Sequence, residues 1–157
     1  MYNTSLRIVK DSFEAEDIMQ EAFLNAFTKL DTFIGEVAFG AWLKRIVINK
    51  SLTHLKMNNR FTEVKLDVVE RNLSNNEEEL TDVEVNNYSS IRANEVLGVM
   101  EKLKDNYRIA LTLNLVEGYD NEEIAMIMQI SNENCRTTIS RAKSKLRKLL
   151  AETSVIN

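Results

Sequence analysis

Apolar residues recur at every third or fourth position through both ends of the chain, and this spacing restricts those segments to α-helices. The first series begins at Ala15 and runs to Leu30 (Ala15, Ile18, Met19, Ala22, Phe23, Ala26, Phe27 and Leu30). Residues 41–56 and the segments after residue 91 show the same recurrence. Because it places a continuous apolar stripe along one face of a helix, we predict an all-α fold.

Charge divides the chain into three parts. Residues 1–60 hold 8 cations and 7 acids, residues 61–95 hold 3 cations and 9 acids, and residues 96–157 hold 9 cations and 8 acids. The middle part is also rich in Asn, Glu and Ser and lacks a helical period, which is typical of a flexible linker. We therefore predict two small helical domains, 1–60 and 96–157, joined by an acidic linker over 61–95.

Composition excludes several classes of protein. With 44% hydrophobic and 28% charged residues, the chain is typical of soluble globular proteins. Its apolar runs are too short for a membrane span and its start lacks the pattern of a signal peptide, so we expect a cytoplasmic protein without membrane insertion. The single cysteine, Cys135, cannot form an internal disulfide.

An enzyme is also disfavoured by the sequence. The one histidine, His54, lies in a basic helix, where a solvated or phosphate-facing side chain is expected rather than a catalytic base. No glycine-rich phosphate loop and no cluster of metal ligands occurs in the sequence. We predict no catalytic residue, no cofactor and no metal.

Two predicted helices near the C-terminus are separated by residues 129–131 and form a helix-turn-helix. Asp120 and Glu123 make a capping box at the start of the first helix, and Ser131 caps the second. Ile124, Ala125, Met128, Ile130, Cys135 and Ile139 are expected to pack the two helices together. The residues expected to face outward are Glu133, Asn134, Arg136, Thr137, Ser140 and Arg141.

The second of these helices is strongly basic, with six cations and no acid from Arg136 to Lys148. Such a helix meets base edges in the major groove, where Arg136 and Arg141 suit guanine and Thr137 and Ser140 suit phosphates or smaller base contacts. The cations further back are expected to bind the DNA backbone: Lys143, Lys145, Arg147 and Lys148. The alternative is a helical hairpin with a solvated basic face, but the turn and the spacing favour DNA binding.

The segment 103–150 resembles region 4 of bacterial sigma factors of the extracytoplasmic-function (ECF) type. The shared features are the tyrosine-arginine start, the glu-glu-ile-ala helix, the ile-ser turn and the basic end. Residues 14–56 are similar to region 2 of the same family, and the two stretches occur in the family's order. This chain departs from the family pattern at Lys104, Gln129 and Ser140, where a proline, a glycine and an aromatic residue or histidine are usual, and it starts short of the family's first helix.

The resemblance implies a subunit that joins core RNA polymerase, recognises promoter DNA and initiates transcription, with an anti-sigma factor as a further partner. Region 4 would read the −35 element through six side chains: Arg136, Thr137, Ser140, Arg141, Lys143 and Lys145. Region 2 would open the −10 element, and the candidates for capturing a base there are Phe39, Asn49 and Lys50. Phe33 and Trp42, which lie near Phe39 in sequence, are expected to be core residues instead.

The polymerase contact would lie on the first long helix. Asp17, Gln20 and Glu21 match the family's asp-x-x-gln-glu pattern, and their spacing forms a carboxylate row suited to a basic partner. Solvation alone would also explain such a face. Two other functions stay open from the residues alone: a helix-turn-helix regulator that binds DNA without polymerase, and a helical adaptor whose basic helix binds only protein.

Overall fold

The computed structural model describes residues 1–65 and 89–156, and within these ranges it contains helices and no β-strand. The all-α prediction is therefore confirmed. The helices are α1 (Tyr2–Val9), α2 (Ser12–Thr28), α3 (Phe39–Lys65), α4 (Ser89–Met100), α5 (Asp105–Leu111), α6 (Asn121–Met128) and α7 (Asn132–Ile156). A 3₁₀ turn (Leu30–Thr32) follows α2, and a π-helical segment (Thr112–Val116) follows α5.

The first two helices are delimited by local polar groups. Lys10 ends α1 in the left-handed conformation, with φ of 63°, and its backbone N–H donates to the carbonyl of Leu6 at 2.8 Å. The carboxylate of Asp11 then accepts a hydrogen bond from the backbone N–H of Glu14 at 2.9 Å and caps α2. The sequence did not predict α1, because its 8 residues are too few to show a sustained apolar period.

The buried stripe of α2 is narrower than the sequence predicted. Its small side chains are buried (Ala15, Ala22 and Ala26, together with Ile18), whereas Phe23, Phe27 and Leu30 are 43%, 73% and 48% exposed. Alanines at the contact allow α2 to lie close to its neighbours, and the two phenylalanine rings beside this stripe then remain partly or largely outside the interface. An apolar surface is consequently left open on α2.

Helices extend into both ends of the segment that was predicted to be a linker. The third helix continues to Lys65, past the expected end of the first domain at residue 60, and α4 begins at Ser89, before the expected start of the second at residue 96. The rest of that prediction, residues 66–88, lies outside the described residues. Residues 1–65 form the N-terminal half of the protein and residues 89–156 its C-terminal half.

The helix predicted to run up to Gly118 is divided. Regular α-helix ends at Leu111, and one wide π-helical turn continues to Val116. Gly118 then reverses the chain with φ of 77°, a conformation that costs glycine little and other residues more. At the other end of the half, α7 runs to Ile156, beyond the predicted end near Leu150.

The two halves share a hydrophobic core. Residues of α1, α2 and α3 (Ile8, Val9, Ala15, Ile18, Ile48 and Leu52) belong to one buried cluster with residues of the C-terminal half (Ile109, Ala110, Leu113, Ile124, Ala125, Ile127, Cys135 and Ile139). A second cluster lies within the C-terminal half, around Leu111 and Leu146. The halves are therefore packed together as well as joined by the chain.

Arg108 of α5 supports this packing with hydrogen bonds. Its side chain is 2% exposed, and its guanidinium donates to the carbonyls of Arg7 and Ile8 at 2.9 Å each. Those carbonyls lie in the last turn of α1, where a helix has no internal donors left to satisfy them. A third bond, at 2.7 Å, goes to the carboxylate of Asp105. One buried arginine thus caps a helix of the opposite half.

Candidate nucleic-acid interface

Both helices of the helix-turn-helix begin at the capping residues that the sequence predicted. The carboxylate of Asp120 accepts from the backbone N–H of Glu123 at 2.8 Å, and the Glu123 carboxylate accepts from the Asp120 N–H at 2.9 Å. The Ser131 hydroxyl accepts from the backbone N–H of Asn134 at 3.1 Å. The first helix ends at Met128 and the next begins at Asn132, so the capping box, the Ser131 cap and the turn over 129–131 are confirmed.

Gln129 bends the chain between the two helices. It adopts the left-handed conformation, with φ of 57°, and its backbone N–H lies within hydrogen-bonding distance of α6 carbonyls. This is the position where the sequence departs from the usual glycine. A side chain there costs conformational energy but supplies an amide group, and that amide accepts a hydrogen bond from Lys56 of α3 at 3.2 Å.

One face of α7 is buried against α5 and α6. Cys135 is fully buried, and Ile139, Ala142 and Leu146 are 6% exposed or less. Burial raises the pKa of the Cys135 thiol, which keeps it protonated and unreactive at neutral pH. Cys135 is therefore a packing residue, as its place on the apolar stripe indicated.

The opposite face of α7 presents the residues that were predicted to face outward. Arg136, Thr137, Ser140 and Arg141 are all exposed and lie on one stripe near the start of the helix. The Thr137 hydroxyl donates to the Glu133 carbonyl at 3.0 Å and would have to rotate to donate to a phosphate. Further along α7, Lys145 is exposed and Lys143 is half-buried. This face can insert into a groove of duplex DNA without disturbing the core.

A shallow open groove runs beside the basic face of α7. It is lined by Tyr107 of α5 and by five residues of α7 (Ser140, Arg141, Ser144, Lys145 and Lys148). The Lys104 ammonium lies 5.8 Å from the centre of the Tyr107 ring. Hydroxyl and cationic groups are thus close together along one side of the helix, an arrangement suited to a phosphate backbone.

Three aromatic rings form a cluster at the start of α3. The ring centres of Phe33, Phe39 and Trp42 lie 5.3 to 5.5 Å apart. The sequence-based assignment of Phe33 and Trp42 to the core was wrong, because both are only half-buried and pack on Phe39, which is 47% exposed. The three rings together offer a partly open aromatic surface against which an unpaired base can stack.

The other two −10 candidates lie further along α3. Asn49 is exposed, and the Lys50 ammonium lies 3.3 Å from the carboxylate of Glu21 on α2. The structure therefore pairs a predicted DNA-binding residue with a predicted polymerase-binding residue. Since both side chains are at the surface, the pair is weak and either partner can be released at little cost.

The predicted polymerase stripe is exposed on α2 and has apolar ends. Asp17, Gln20 and Glu21 are exposed, and they lie between Phe13 and Leu24, which are 79% and 68% exposed. Positions 13, 17, 20, 21 and 24 fall on one helix face. Acidic side chains between exposed apolar ones form a surface suited to a partner that is both basic and apolar.

The sequence did not predict the polar contacts of Glu117 with the N-terminal half. The Glu117 carboxylate, 5% exposed, accepts from the Thr4 hydroxyl at 2.6 Å and pairs with the Lys44 ammonium at 2.9 Å. Burial acts to raise the pKa of Glu117, but the hydrogen bond from Thr4 and the charge of Lys44 outweigh it and lower the pKa below its ordinary value. No local pattern could have revealed this group, since Thr4 and Glu117 are 113 residues apart in sequence.

Over the ranges 1–65 and 89–156, no group of three or more His, Cys, Asp and Glu side chains is placed to hold a metal ion. In the same ranges, none of the helices has the length and apolar character needed to cross a membrane. His54 lies 3.3 Å from the Glu14 carboxylate, within the N-terminal half.

Two family models match the chain: Sigma-70 region 2 over residues 1–61, and Sigma-70, region 4 over residues 93–146. The RNA polymerase sigma-H factor of Pseudomonas aeruginosa is 33% identical over 149 residues, which cover 92% of this chain and 77% of the relative. The ECF RNA polymerase sigma-E factor of Escherichia coli is 32% identical over 141 residues, which cover 86% and 73%.

Two solved structures share the fold. One is the sigma factor RpoE in complex with the anti-sigma factor NepR from Bartonella quintana, with a TM-score of 0.65, 19% identity, and coverage of 96% of this chain and 89% of that chain. The other is CnrH in complex with the cytosolic domain of CnrY, with a TM-score of 0.56, 22% identity, and coverage of 96% and 80%.

The matched models define a protein of the sigma-70 class, in which a region 2 is followed by a region 4. Two relatives that are 33% and 32% identical over most of their length assign the chain to a subgroup of this class. The chain belongs to the ECF family of RNA polymerase sigma factors, and it acts in transcription initiation. The region 2 match lies within the N-terminal half and the region 4 match within the C-terminal half.

Proposed function

We propose that this sigma factor recognises the −35 element through the exposed face of α7. Arg136 and Arg141 contact guanine edges, and Thr137 and Ser140 contact phosphates or smaller base edges. Lys143 and Lys145 neutralise the DNA backbone, as do the remaining cations of the helix. The observation that carries the proposal is the geometry of α7, whose buried face fixes it in the core while an exposed basic face carries no acid between Arg136 and Lys148.

Region 2 opens the −10 element in this proposal. An extruded base stacks on the partly open ring of Phe39, while Asn49 and Lys50, about 15 Å further along α3, contact the edge of another nucleotide and a phosphate of the same strand. Base stacking on an exposed aromatic side chain is worth about 1–3 kcal/mol, which offsets part of the cost of extruding the base. Support comes from the aromatic cluster at the start of α3 and from the exposure of Asn49 on the same helix.

Core polymerase binds the face of α2 that carries Asp17, Gln20 and Glu21. The protein acts in the cytoplasm as a binding subunit, without catalytic residues, cofactor or metal of its own. Its domains are region 2 in the N-terminal half and region 4 in the C-terminal half, and the acidic residues 66–88 join them. By analogy with the two solved complexes, an anti-sigma factor is a further partner.

Promoter reading is tested by two pairs of substitutions in α7. The probe is a duplex enriched from a random pool by the wild-type protein. Arg136→Ala with Arg141→Ala removes candidate base contacts, each worth about 1–3 kcal/mol, so the preference for the enriched sequence is lost. Lys145→Ala with Lys148→Ala weakens all duplexes evenly and lowers the salt dependence, because phosphates carry no sequence. Equal behaviour of the two variants contradicts the assignment.

Polymerase binding is tested by reversing the charge of the acidic stripe on α2. Asp17→Lys with Glu21→Lys keeps α2 amphipathic but places cations against a basic partner, so we expect capture of core RNA polymerase to be lost. The matched control reverses two exposed carboxylates of region 4, Glu95→Lys with Glu101→Lys, and retains capture. Circular dichroism verifies that both variants are folded. A folded stripe variant that captures polymerase at wild-type affinity would show that these residues are not the contact.

A further inference from the structure

The groove beside α7 connects the exposed face of that helix with the start of α5. On the α5 side it is lined by the half-buried ring of Tyr107. On the α7 side it is lined by hydroxyl and cationic side chains (Ser140, Arg141, Ser144, Lys145 and Lys148). Thr137, Arg141 and Lys148 recur at helical spacing, so one stripe leads from the candidate base contacts into the groove. The proposed −35 face and the groove therefore form one continuous surface.

The cations around this groove have no acidic partners within the protein. The three cations on the α7 side are exposed, and Lys104, the residue before α5, adds a fourth. Within residues 1–65 and 89–156, none of the four lies within ion-pairing distance of a carboxylate. The carboxylate next to Lys104 in the chain, that of Asp105, is paired with Arg108 at 2.7 Å. The positive charge of the groove is therefore available to an anionic partner.

Lys104 contributes a charged side chain rather than a special backbone conformation. Its φ of −56° and ψ of 152° are values that proline also adopts, and a proline is the usual residue of the family at this position. The Lys104 ammonium lies 5.8 Å from the centre of the Tyr107 ring, and the attraction between cation and ring keeps it beside the groove. Relative to a proline, the lysine thus adds a cation at the edge of the groove.

The shape of the groove suits a strand rather than a small anion. Arg141 and Lys148 are seven residues apart, which places them about 10 Å apart along the helix axis. The cations are therefore spread along the groove and do not surround a single point. A DNA strand carries a phosphate at each nucleotide, so successive phosphates can meet successive cations along such a groove.

We propose that Lys104 and Tyr107 extend the −35 interface from α7 to α5 by binding the DNA backbone beside the bases that α7 reads. The Lys104 ammonium neutralises one phosphate, and the Tyr107 hydroxyl donates to a phosphate oxygen. Contacts of this kind fix the register and orientation of α7 on the duplex without reading sequence. The inference rests on the proposed −35 role of α7. It goes beyond that role by assigning DNA contacts to two residues outside the helix-turn-helix.

The size of the effect follows from the release of counterions. Each neutralised phosphate contributes about 0.9 to the slope of log affinity against log salt concentration. Loss of the Lys104 contact should therefore lower that slope by about 1 and the affinity at about 0.1 M salt by about fivefold. Loss of the Tyr107 hydroxyl should lower the affinity by about threefold and leave the slope unchanged, because this contact is neutral.

The experiment uses the full chain and a fluorescein-labelled duplex enriched from a random pool by the wild-type protein. Fluorescence anisotropy gives the affinity at several salt concentrations. Lys104→Ala removes the cation, and Tyr107→Phe removes the hydroxyl but retains the ring that packs against the second hydrophobic cluster. Lys104→Arg restores the charge. The matched control is Lys29→Ala, which removes an exposed cation of the N-terminal half, and circular dichroism verifies that each variant is folded.

We expect Lys104→Ala to show the lower slope and the fivefold loss, while Lys104→Arg and Lys29→Ala stay within about twofold of wild type. The preference of Lys104→Ala for the enriched sequence over a scrambled duplex should be unchanged, because a phosphate contact carries no sequence. A neutral methylphosphonate, placed at each phosphate in turn, identifies the phosphate concerned. At that position it should weaken wild type about fivefold and Lys104→Ala by less than about twofold, since the contact is already absent.

Wild-type affinity in folded Lys104→Ala or Tyr107→Phe overturns the proposal. A loss in Lys104→Ala with an unchanged salt slope, or a loss of its sequence preference, also overturns it. A separate result identifies a failure of the proposed function instead. If the wild-type protein enriches no duplex, or if Arg136→Ala with Arg141→Ala retains the preference for the enriched one, α7 does not read the −35 element.

Discussion

Replacing Arg108 with methionine tests the packing of the two halves most sharply. The guanidinium is buried, and it donates to the carbonyls of Arg7 and Ile8 at 2.9 Å each. Arg108→Met keeps most of the volume and leaves both carbonyls at the end of α1 without this donor. A buried group deprived of its partner costs about 1–3 kcal/mol. Two such groups, offset by the gain from no longer burying a charge, give an expected loss of about 3 kcal/mol.

The assay is urea denaturation followed by circular dichroism, with thermal unfolding as a second measurement. Because the halves share a core, we expect one cooperative transition for the wild-type protein. A loss of 3 kcal/mol lowers the melting temperature of a protein of this size by about 6–12 °C. Arg108→Lys retains the charge but lacks the planar fork that reaches two carbonyls, so it should lose roughly half as much.

Arg147→Met is the matched control, because it removes an exposed arginine of α7 and should stay within about 0.5 kcal/mol of wild type. Asp105 is half-exposed but neutralises a buried guanidinium, so Asp105→Asn should lose more stability than the control and less than Arg108→Met. If Arg108→Met unfolds within 1 kcal/mol of the control, the reasoning about buried carbonyls is refuted. Two separate unfolding transitions in wild type would contradict the shared core.

Three further predictions concern single residues. Because hydrogen bonding and the charge of Lys44 lower the pKa of Glu117 in spite of its burial, its contribution to stability is present above its ordinary pKa of 4.5 and is lost as the pH falls below that value. As the pH decreases through this acidic range, the free energy of unfolding measured in urea should therefore decrease less steeply for Glu117→Gln than for wild type. Gly118→Ala should lose about 1 kcal/mol in urea denaturation through the backbone alone, since φ is 77° and nothing lies within 4 Å of the added carbon. Cys135 is fully buried and its pKa is raised, so its thiol should not react with iodoacetamide in the native protein but should react once urea unfolds it. Mass spectrometry measures the extent of labelling. Rapid labelling of the native protein would show that the thiol lies at the surface.

The sequence predicted the helix-turn-helix well because its determinants are local. A capping carboxylate at Asp120, its partner three residues later and the Ser131 hydroxyl each satisfy backbone groups within one turn. The alternation of buried and exposed positions on α7 follows from the helical period in the same way. These determinants involve only residues that are close together in the chain, so they can be identified from a single sequence.

Features that depend on distant parts of the chain could not be predicted. The period of α2 identified a helix but not how much of its apolar face would be covered, so Phe23 and Phe27 were expected inside and lie partly or largely outside. The contacts of Glu117 with Thr4 and Lys44 join segments far apart in sequence, and no spacing rule relates them. Nothing local marked Arg108 as a buried cap, because an arginine after a tyrosine is equally suited to the surface.

The most direct test of the central claim is transcription reconstituted from core RNA polymerase and this protein, on sheared genomic DNA from the source organism. Sequencing maps the 5′ ends of the transcripts with and without the protein. We expect new start sites that share upstream −35 and −10 sequences, and we expect these sites to be lost with Arg136→Ala and Arg141→Ala. A folded protein that binds DNA but produces no new start sites with active core polymerase would contradict the role in initiation.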